Sequence, residues 1–429
     1  MTKPRHLRLT DLRGISQLAV QATLGINDLV EAMHHTILAL PTPRAKTPAP
    51  EPHNRAHAVV YRVLQKSSAA VYGAVRGTAK LVGGGLDAAL AALQPEMEHL
   101  PSTREREAML AIVNGVLGDH LTTTDNPLCI PMAFRHQGQA LALNRAALRQ
   151  AYPKARSELL VLLHGHCMND LQWASNDAAP VHTLAKLPRH STVTLRYNTG
   201  RHISHNGREL ADLLEQLVQA WPVPVQRLRI VGFSMGGLLA RSAVHYAQGH
   251  TWPQQLHQLF FVGTPHHGSM VERAGNMVDL LLDASPYSRA LSRLGKIRSA
   301  GTTDLRHGNL LDEDWAPHDR FAVPTDTRTP VPLPVGVACY AIAAVAQPEP
   351  GALRSQWVGD GLVPLSSALG QHPQKEFDLA LPPERTRTFF STTHLGLLRQ
   401  PEVFSQISRW ISASSDTLPD ASSRTPAKV

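Results

Sequence analysis

Gly232-Phe233-Ser234-Met235-Gly236 lies between a short apolar segment, Arg227–Val231, and a run of small, helix-compatible residues, Met235–Tyr246. A strand, a tight turn with a serine at its apex and a following helix are the context in which a G-x-S-x-G motif acts as a nucleophile elbow. The turn strains the serine backbone, and side chains two residues before or after it would crowd the turn, so glycine suits both positions. The segment predicts an α/β fold with Ser234 as nucleophile; the alternative is a chance match, since G-x-S-x-G alone also occurs in unrelated chains.

Apolar strand segments and helical segments alternate from about residue 129 to residue 411. The six strand segments are Leu159–Leu163, Val193–Tyr197, Leu228–Val231, Leu259–Val262, Val337–Val345 and Thr386–Phe390. Helical stretches such as Gly207–Ala220 separate most of them, and residues 130–143 fit an antiparallel hairpin. Such alternation is typical of a parallel sheet that is covered by helices on both faces.

Two further residues fit the chemistry that Ser234 requires. A serine hydroxyl is a poor nucleophile unless a histidine removes its proton and an acid orients that histidine. With an elbow of this kind, the acid and then the histidine follow the serine along the chain, each after a later strand. Asp360 stands between two glycines after the fifth strand segment, and His394 follows the sixth. We predict a Ser234–His394–Asp360 triad; taken singly, Asp360 could form a turn and His394 could be a surface residue.

A tetrahedral intermediate also needs two backbone N–H donors around its oxyanion. Met235 supplies one candidate, because it follows the nucleophile at the start of a helix. The second candidate is the N–H of His166, in the loop His164–Cys167 after the first strand segment, unless this loop is a simple strand-ending turn. Nothing near Cys167 indicates a nucleophilic thiol.

As a set, these motifs resemble the α/β-hydrolase esterase/lipase family, and within it bacterial lipases and the lipase-like domain of GPI inositol-deacylases. The similar segments are Leu163–Gly165 (oxyanion loop), Gly232–Gly236 (elbow), Gly263–Ser269 (a loop after the next strand), Gly359–Pro364 (acid) and His394-Leu395. The resemblance covers about residues 158–411. It implies an α/β-hydrolase fold with a mostly parallel sheet and helices on both faces, and an enzyme that cleaves acyl esters without a cofactor.

The resemblance also implies roles for residues outside the triad. In the family the Gly263–Ser269 loop is structural and lines the pocket, so His266 and His267 are interpreted as supporting residues rather than as the base. An insertion near 270–334 commonly forms a cap. Two positions depart from the family: Phe233 stands where many of these lipases have histidine, and Gly396 where some have a calcium-binding aspartate. We therefore predict intact chemistry and no calcium site.

Composition restricts the class of protein further. The chain has 429 residues, 43% of them hydrophobic and 18% charged, which is ordinary for a globular protein. No apolar run long enough to span a bilayer and no secretory h-region occur, so a cytoplasmic location is expected. The three cysteines form no disulfide framework, and no metal-ligand spacing is present. A net charge of +8 favours anionic partners, but the arginines lack interleaved aromatic residues, so no nucleic acid is predicted.

The N-terminal segment, residues 1–128, has the pattern of a helical extension. Apolar residues at steps of three or four predict one face of a first helix: Leu12, Ile15, Ala19, Ala22, Ile26, Leu29, Met33 and Ile37. A Pro-rich linker follows near 41–54, and capping-box spacing places the start of another helix at Ser102. These helices pack on the following domain or another subunit, or they contact a lipid or polymer surface. Residues 412–429 are predicted to be a disordered tail.

Together these features predict a helical N-terminal extension (1–128), an α/β-hydrolase domain (129–411) with a cap near 270–334, and a tail. The predicted function is a serine carboxylic-ester hydrolase, an esterase or lipase of lipid metabolism that acts through an acyl-enzyme. Alternatives are an intracellular polyester depolymerase, an acyltransferase that uses the same residues, and a non-catalytic module that binds lipid surfaces.

Overall fold

The apolar segments form one eight-stranded sheet in the computed structural model of the chain. The structure describes residues 8–39, 72–88, 91, 102–174, 183–184, 190–269, 298–316, 326–348 and 359–413. The strands are β1 (Ala133–His136), β2 (Gln139–Ala140), β3 (Glu158–Leu163), β4 (His190–Arg196), β5 (Arg227–Phe233), β6 (Leu256–Val262), β7 (Ala338–Val345) and β8 (Thr386–Phe390). The helices are α1 (Leu9–Ala39), α2 (72–88), α3 (Arg104–Thr123), α4 (Arg145–Ala151), α5 (Ile203–Ala220), α6 (Met235–His245), α7 (Ala300–Asp304), α8 (Leu365–Ala368) and α9 (Pro401–Ala413).

The strand order across the sheet is β2-β1-β4-β3-β5-β6-β7-β8. Strands β3 to β8 pair in parallel, and β1 pairs antiparallel with both β2 and β4. The mostly parallel sheet predicted from the sequence is therefore confirmed. Because β5, β6, β7 and β8 are consecutive neighbours, the loops at their carboxyl ends meet at one edge of the sheet.

Helices cover the sheet on both faces, as predicted. Every residue of β3 is buried, and its side chains alternate between two apolar cores. Leu159, Val161 and Leu163 pack in one core with leucines of α5 and α6. Leu160 and Leu162 pack in the other with Phe404 and Ile407 of α9. A strand buried on both faces explains why this segment reads as a continuous apolar run.

The chain divides into two compact units, one of residues 1–106 and 125–128 and the other of residues 107–124 and 129–429. The sheet lies in the second unit. The domain boundaries derived from the sequence remain predictions. The linker near 41–54, residues 270–297 and 317–325 of the cap, and residues 414–429 of the tail lie outside the described residues. No helix within the described ranges is long and apolar enough to cross a membrane.

The first unit contains the predicted helix α1, and the start of its predicted apolar face is exposed. Leu12 is 43% exposed and Ile15 is 51% exposed, whereas Asp11 and Gly14 are buried. Asp11 is buried because it forms an ion pair with Arg106 at 2.5 Å. At Gly14, a Cβ would come within 2.5 Å of Leu128, so only glycine permits the contact.

The start of α3 also differs by two residues from the prediction. The helix begins at Arg104, and the Thr103 hydroxyl accepts the Arg106 N–H at 3.2 Å. Thr103, rather than Ser102, therefore satisfies a free N–H group of the first turn.

Candidate active site

The elbow of the second unit has the backbone that its sequence predicts. Ser234 lies between β5 and α6 with φ +52° and ψ −122°, a conformation that is costly for any residue except glycine. Its N–H donates to the carbonyl of Val262 at 2.8 Å, and its carbonyl accepts from Gly237 at 3.0 Å. A Cβ at Gly232 would lie 2.5 Å from the Gly237 nitrogen, and a Cβ at Gly236 would lie 2.5 Å from the Leu163 oxygen. Both flanking positions therefore require glycine.

The predicted acid and base are in direct contact. Nδ1 of His394 lies 2.7 Å from Oδ2 of Asp360, and both residues are buried. The other oxygen, Oδ1, accepts the backbone N–H groups of Leu362 and Val363 at 3.0 and 2.8 Å. The two oxygens thus have separate partners, and the backbone bonds aim Oδ2 at the imidazole. Because Nδ1 donates to Asp360, Nε2 is the basic nitrogen of His394.

The His394 ring lies close to one residue of the elbow and to the loop after β6. The Phe233 ring lies 4.9 Å from the imidazole, centroid to centroid. Gly263, in the loop after β6, approaches so closely that a Cβ there would lie 3.2 Å from Cε1 of His394. Phe233 therefore packs against the ring of His394.

The loop after β3 lies against the nucleophile candidate. A Cβ at Gly165 would be 3.1 Å from Cβ of Ser234. The backbone N–H groups of His166 and Met235, predicted to bind the oxyanion, donate to no acceptor among the described residues. Both are thus available to a developing negative charge close to Ser234.

The rings of the two histidines of this loop are buried and packed against neighbouring side chains. Burial lowers the pKa of His164 to about 3, and its ring stacks on Tyr197 at 4.4 Å. Tyr197 also donates its hydroxyl to the His164 carbonyl at 2.9 Å. Burial lowers the pKa of His166 to about 4, and its Nε2 lies 3.1 Å from Oγ1 of Thr302. Both rings are therefore neutral at pH 7.

Sequence reasoning missed the buried ionic network that follows this loop. Arg196, at the end of β4, forms ion pairs with Asp170 and with Glu107 of α3. Asn169 donates its side-chain amide to the Glu107 carbonyl at 2.9 Å. These partners are 26 to 89 residues apart in sequence, so no local pattern could reveal them.

Helix α3 also packs directly on the oxyanion loop. A Cβ at Gly115 would lie 2.2 Å from Sγ of Cys167, so only glycine allows this close approach. Burial raises the pKa of the Cys167 thiol to about 12, which leaves almost no thiolate at neutral pH. Cys167 is therefore a packing residue of the loop.

His266 and His267 follow β6 in the loop that begins at Gly263. Within the described residues, neither ring hydrogen-bonds to the predicted triad; the His266 ring contacts Arg241 and the His267 ring contacts Arg328. No three His, Cys, Asp or Glu side chains of the described segments come together as metal ligands.

Comparison with known proteins agrees with this architecture. Residues 159–331 match the family described as the PGAP1-like alpha/beta domain. The second unit has an α/β-hydrolase fold. The resemblance and fold predicted from the sequence are therefore confirmed. No curated protein sequence matches the chain significantly.

Several solved structures are similar to this α/β-hydrolase domain at low identity. The lipase BlEst2 of Bacillus licheniformis in its mature form is 17% identical over 59% of this chain and 90% of its own, with a TM-score of 0.38. The esterase Pf2001 of Pyrococcus furiosus is 14% identical over 60% of this chain and 82% of its own, with a TM-score of 0.37. The phospholipase PlaB of Legionella pneumophila is 14% identical over 49% of this chain and 45% of its own, with a TM-score of 0.30.

Proposed function

We propose that the protein is a serine carboxylic-ester hydrolase whose triad is Ser234, His394 and Asp360. The observation that carries the proposal is the 2.7 Å contact between His394 and Asp360 at the sheet edge where Ser234 has a strained elbow backbone. The PGAP1-like α/β domain match supports hydrolase chemistry in general. A strained serine near a buried acid–histidine pair suits nucleophilic catalysis. The histidine takes the proton of the weakly nucleophilic serine, and the acid stabilises the imidazolium that forms.

In the proposed reaction, Oγ of Ser234 attacks the ester carbonyl while Nε2 of His394 accepts its proton. Asp360 stabilises the resulting imidazolium through Nδ1–H. The N–H groups of His166 and Met235 bind the oxyanion of the tetrahedral intermediate. The intermediate collapses when His394 returns the proton to the leaving alkoxide, which departs as the alcohol. Water then adds to the acyl-enzyme by the same steps and releases the carboxylic acid and free Ser234.

A lipid acyl ester is the substrate class that we propose first. Exposed apolar side chains in the first unit support contact with an insoluble substrate: Leu12, Ile15, Val75, Leu81, Val82 and Leu86. A contiguous exposed apolar patch would mark a binding surface. Deletion of residues 1–54 should lower activity on an emulsified ester more than on a soluble ester. Equal losses on both substrates would contradict the surface contact but leave the ester hydrolase intact.

The test of the proposed function is hydrolysis of p-nitrophenyl esters from short to long acyl chains by the wild type and by Ser234→Ala. We expect turnover that depends on Ser234, with a chain-length optimum that separates small esters from lipids. Ser405→Ala, which changes an exposed serine of α9, is the matched control and should keep full activity. Wild-type turnover by Ser234→Ala would refute the triad.

Two alternatives give different results in this test. Acyl transfer would yield a new ester when an alcohol is added, whereas hydrolysis yields only the free acid. A non-catalytic binding module would turn over no ester, and Ser234 would not react with a fluorophosphonate, which phosphonylates an activated serine and releases fluoride.

A further inference from the structure

A group of buried basic side chains surrounds the loop that follows β6. Arg241 comes from α6, His266 and His267 from the loop, and Arg328 from the segment before β7; we call these four residues the basic cluster. Arg241 is 6% exposed and His266 is 0% exposed. The cluster lines one cavity together with Asp314 and with the apolar side chains of Leu310, Val331 and Phe377.

Arg241 carries a buried positive charge without a direct counter-ion. Its guanidinium donates to the Val331 carbonyl, and Nη1 lies 3.3 Å from Nδ1 of His266. Within the part of the chain that the structure describes, no carboxylate lies within 4.0 Å of Arg241, and its Nε has no hydrogen-bond partner. Arg328 differs, because Asp326 binds it at 2.9 and 3.0 Å. A buried charge of this kind normally requires a partner of opposite sign.

Asp314 lines the same cavity, but its oxygens already have partners. Oδ2 accepts the backbone N–H groups of Leu310 and Leu311 at 2.8 and 3.0 Å, and Oδ1 accepts that of Thr329 at 2.8 Å. This carboxylate is therefore held by the backbone and does not bind Arg241 directly.

The His266 ring is a neutral acceptor for Arg241. Its Nδ1 faces the Arg241 guanidinium, which can only donate, so the ring proton resides on Nε2. This Nε2 is buried and has no partner among the described residues. Burial, together with the positive charge of Arg241, holds the pKa of His266 well below its usual value, so the ring stays neutral. The two ring nitrogens point to opposite sides of the imidazole, so Nε2 faces away from Arg241, and the donor without an acceptor on the charged group is Nε of Arg241.

We propose that this cavity binds a small monovalent anion such as chloride, with Arg241 as its counter-ion. The cavity has room for about one water-sized ligand. Water would accept from Nε of Arg241 but would bring no negative charge, and the Asp314 carboxylate that lines the cavity is held by backbone donors. Chloride would accept from Nε, bring the charge and tolerate the apolar part of the wall. The anion would lie between α6, which begins directly after Ser234, and the loop that begins at Gly263 beside His394.

The first test locates the anion in the wild-type protein. Crystals grown without halide are soaked in sodium bromide, and anomalous scattering is measured at the bromine edge. We expect a peak within hydrogen-bond distance of Nε of Arg241. The absence of a peak there, or peaks only elsewhere, would show that water occupies the cavity and would overturn the proposal.

The second test measures binding in solution. The melting temperature is compared in sodium chloride and in sodium gluconate at equal ionic strength, since a ligand that binds only the folded state raises it with concentration. We expect a chloride-specific rise that Arg241→Gln abolishes and that Arg409→Gln, which removes an exposed charge of α9, retains. Equal melting temperatures in the two salts, or the same chloride effect in folded Arg241→Gln, would refute the site. If Arg241→Gln does not fold, the bromide experiment decides.

Discussion

Replacing Asp360 by asparagine should abolish most of the activity while it leaves the fold intact. In the wild type, Oδ1 of Asp360 accepts two backbone N–H groups and Oδ2 accepts Nδ1–H of His394. An asparagine has one oxygen, and the amide NH₂ cannot accept from the backbone. The oxygen will therefore keep the backbone donors, and the NH₂ will face His394.

This arrangement reverses the tautomer of the histidine. Facing an NH₂ donor, Nδ1 of His394 must accept, so the proton moves to Nε2 and that nitrogen can no longer take the proton of Ser234. A wrong tautomer of this kind costs about 10⁴-fold in kcat in triad enzymes. At about 1.36 kcal/mol for each factor of ten, the loss corresponds to about 5.4 kcal/mol of transition-state stabilisation.

The effect on stability separates asparagine from alanine. Asp360→Asn keeps both backbone bonds, so its free energy of unfolding should stay within about 1 kcal/mol of the wild type. Asp360→Ala leaves two buried N–H groups without acceptors, at about 1–3 kcal/mol each, so a loss of about 2–6 kcal/mol is expected.

The assay is kcat on a p-nitrophenyl ester, combined with urea unfolding of each variant. Asp378→Asn is the matched control, because Asp378 also binds a backbone N–H, that of Ala380 at 2.7 Å, but has no histidine partner. It should keep full kcat. A kcat of Asp360→Asn within tenfold of the wild type would refute the role of Asp360, and equal instability of the two Asp360 variants would refute the division of its two oxygens.

Three further predictions concern the surroundings of the site. Gly165→Ala should lower kcat by about 10²-fold, which is the cost of one lost oxyanion donor, because the Cβ of the alanine would press on Ser234. An unchanged kcat together with a normal circular dichroism spectrum would contradict this prediction. Burial raises the pKa of Cys167 to about 12, so this thiol should resist iodoacetamide at pH 8 in the native protein, while the less buried Cys129 reacts first. Mass spectrometry of the peptides measures the order of labelling, and earlier labelling of Cys167 would contradict this prediction. Burial by itself would raise the pKa of Glu158, but hydrogen bonds from a buried histidine and a buried arginine outweigh burial and lower this pKa to about 2. The ionised Glu158 therefore stabilises the fold above pH 4.5. This stabilisation is lost as the pH falls from 4.5 towards 2. Glu158→Gln should flatten the pH dependence of the unfolding free energy in that window, and an unchanged slope would exclude this carboxyl as its source.

Local patterns were sufficient for much of the fold. The segment of β3 could be recognised because a strand buried on both faces must be apolar throughout. The Gly232–Gly236 turn could be recognised because a strained serine restricts its neighbours to glycine. Asp360 and His394 were found by chain order, since each follows a strand of the same sheet edge. Their roles in catalysis remain predictions until the variants are measured.

Other features depended on partners that are distant in the chain. The apolar stripe of α1 left open whether that face packs or is exposed. Leu12 and Ile15 are exposed, whereas Asp11 forms an ion pair with Arg106 and Gly14 makes a close contact with Leu128. Arg229 is fully buried within β5, and an ion pair with Glu158 neutralises its charge. The position of Arg229 in a strand segment of the sequence did not indicate this partner.

By itself, the sequence determined the elements, the parallel sheet and the three residues proposed to carry the chemistry. These follow from periodicity and backbone restrictions that act over a few residues. Only the tertiary structure decided what supports the oxyanion loop and where the charges are buried, as in the network of Glu107, Asp170 and Arg196 and in the cavity beside Arg241. A buried charge is stable only with a correctly placed partner, and that placement arises when distant segments pack together.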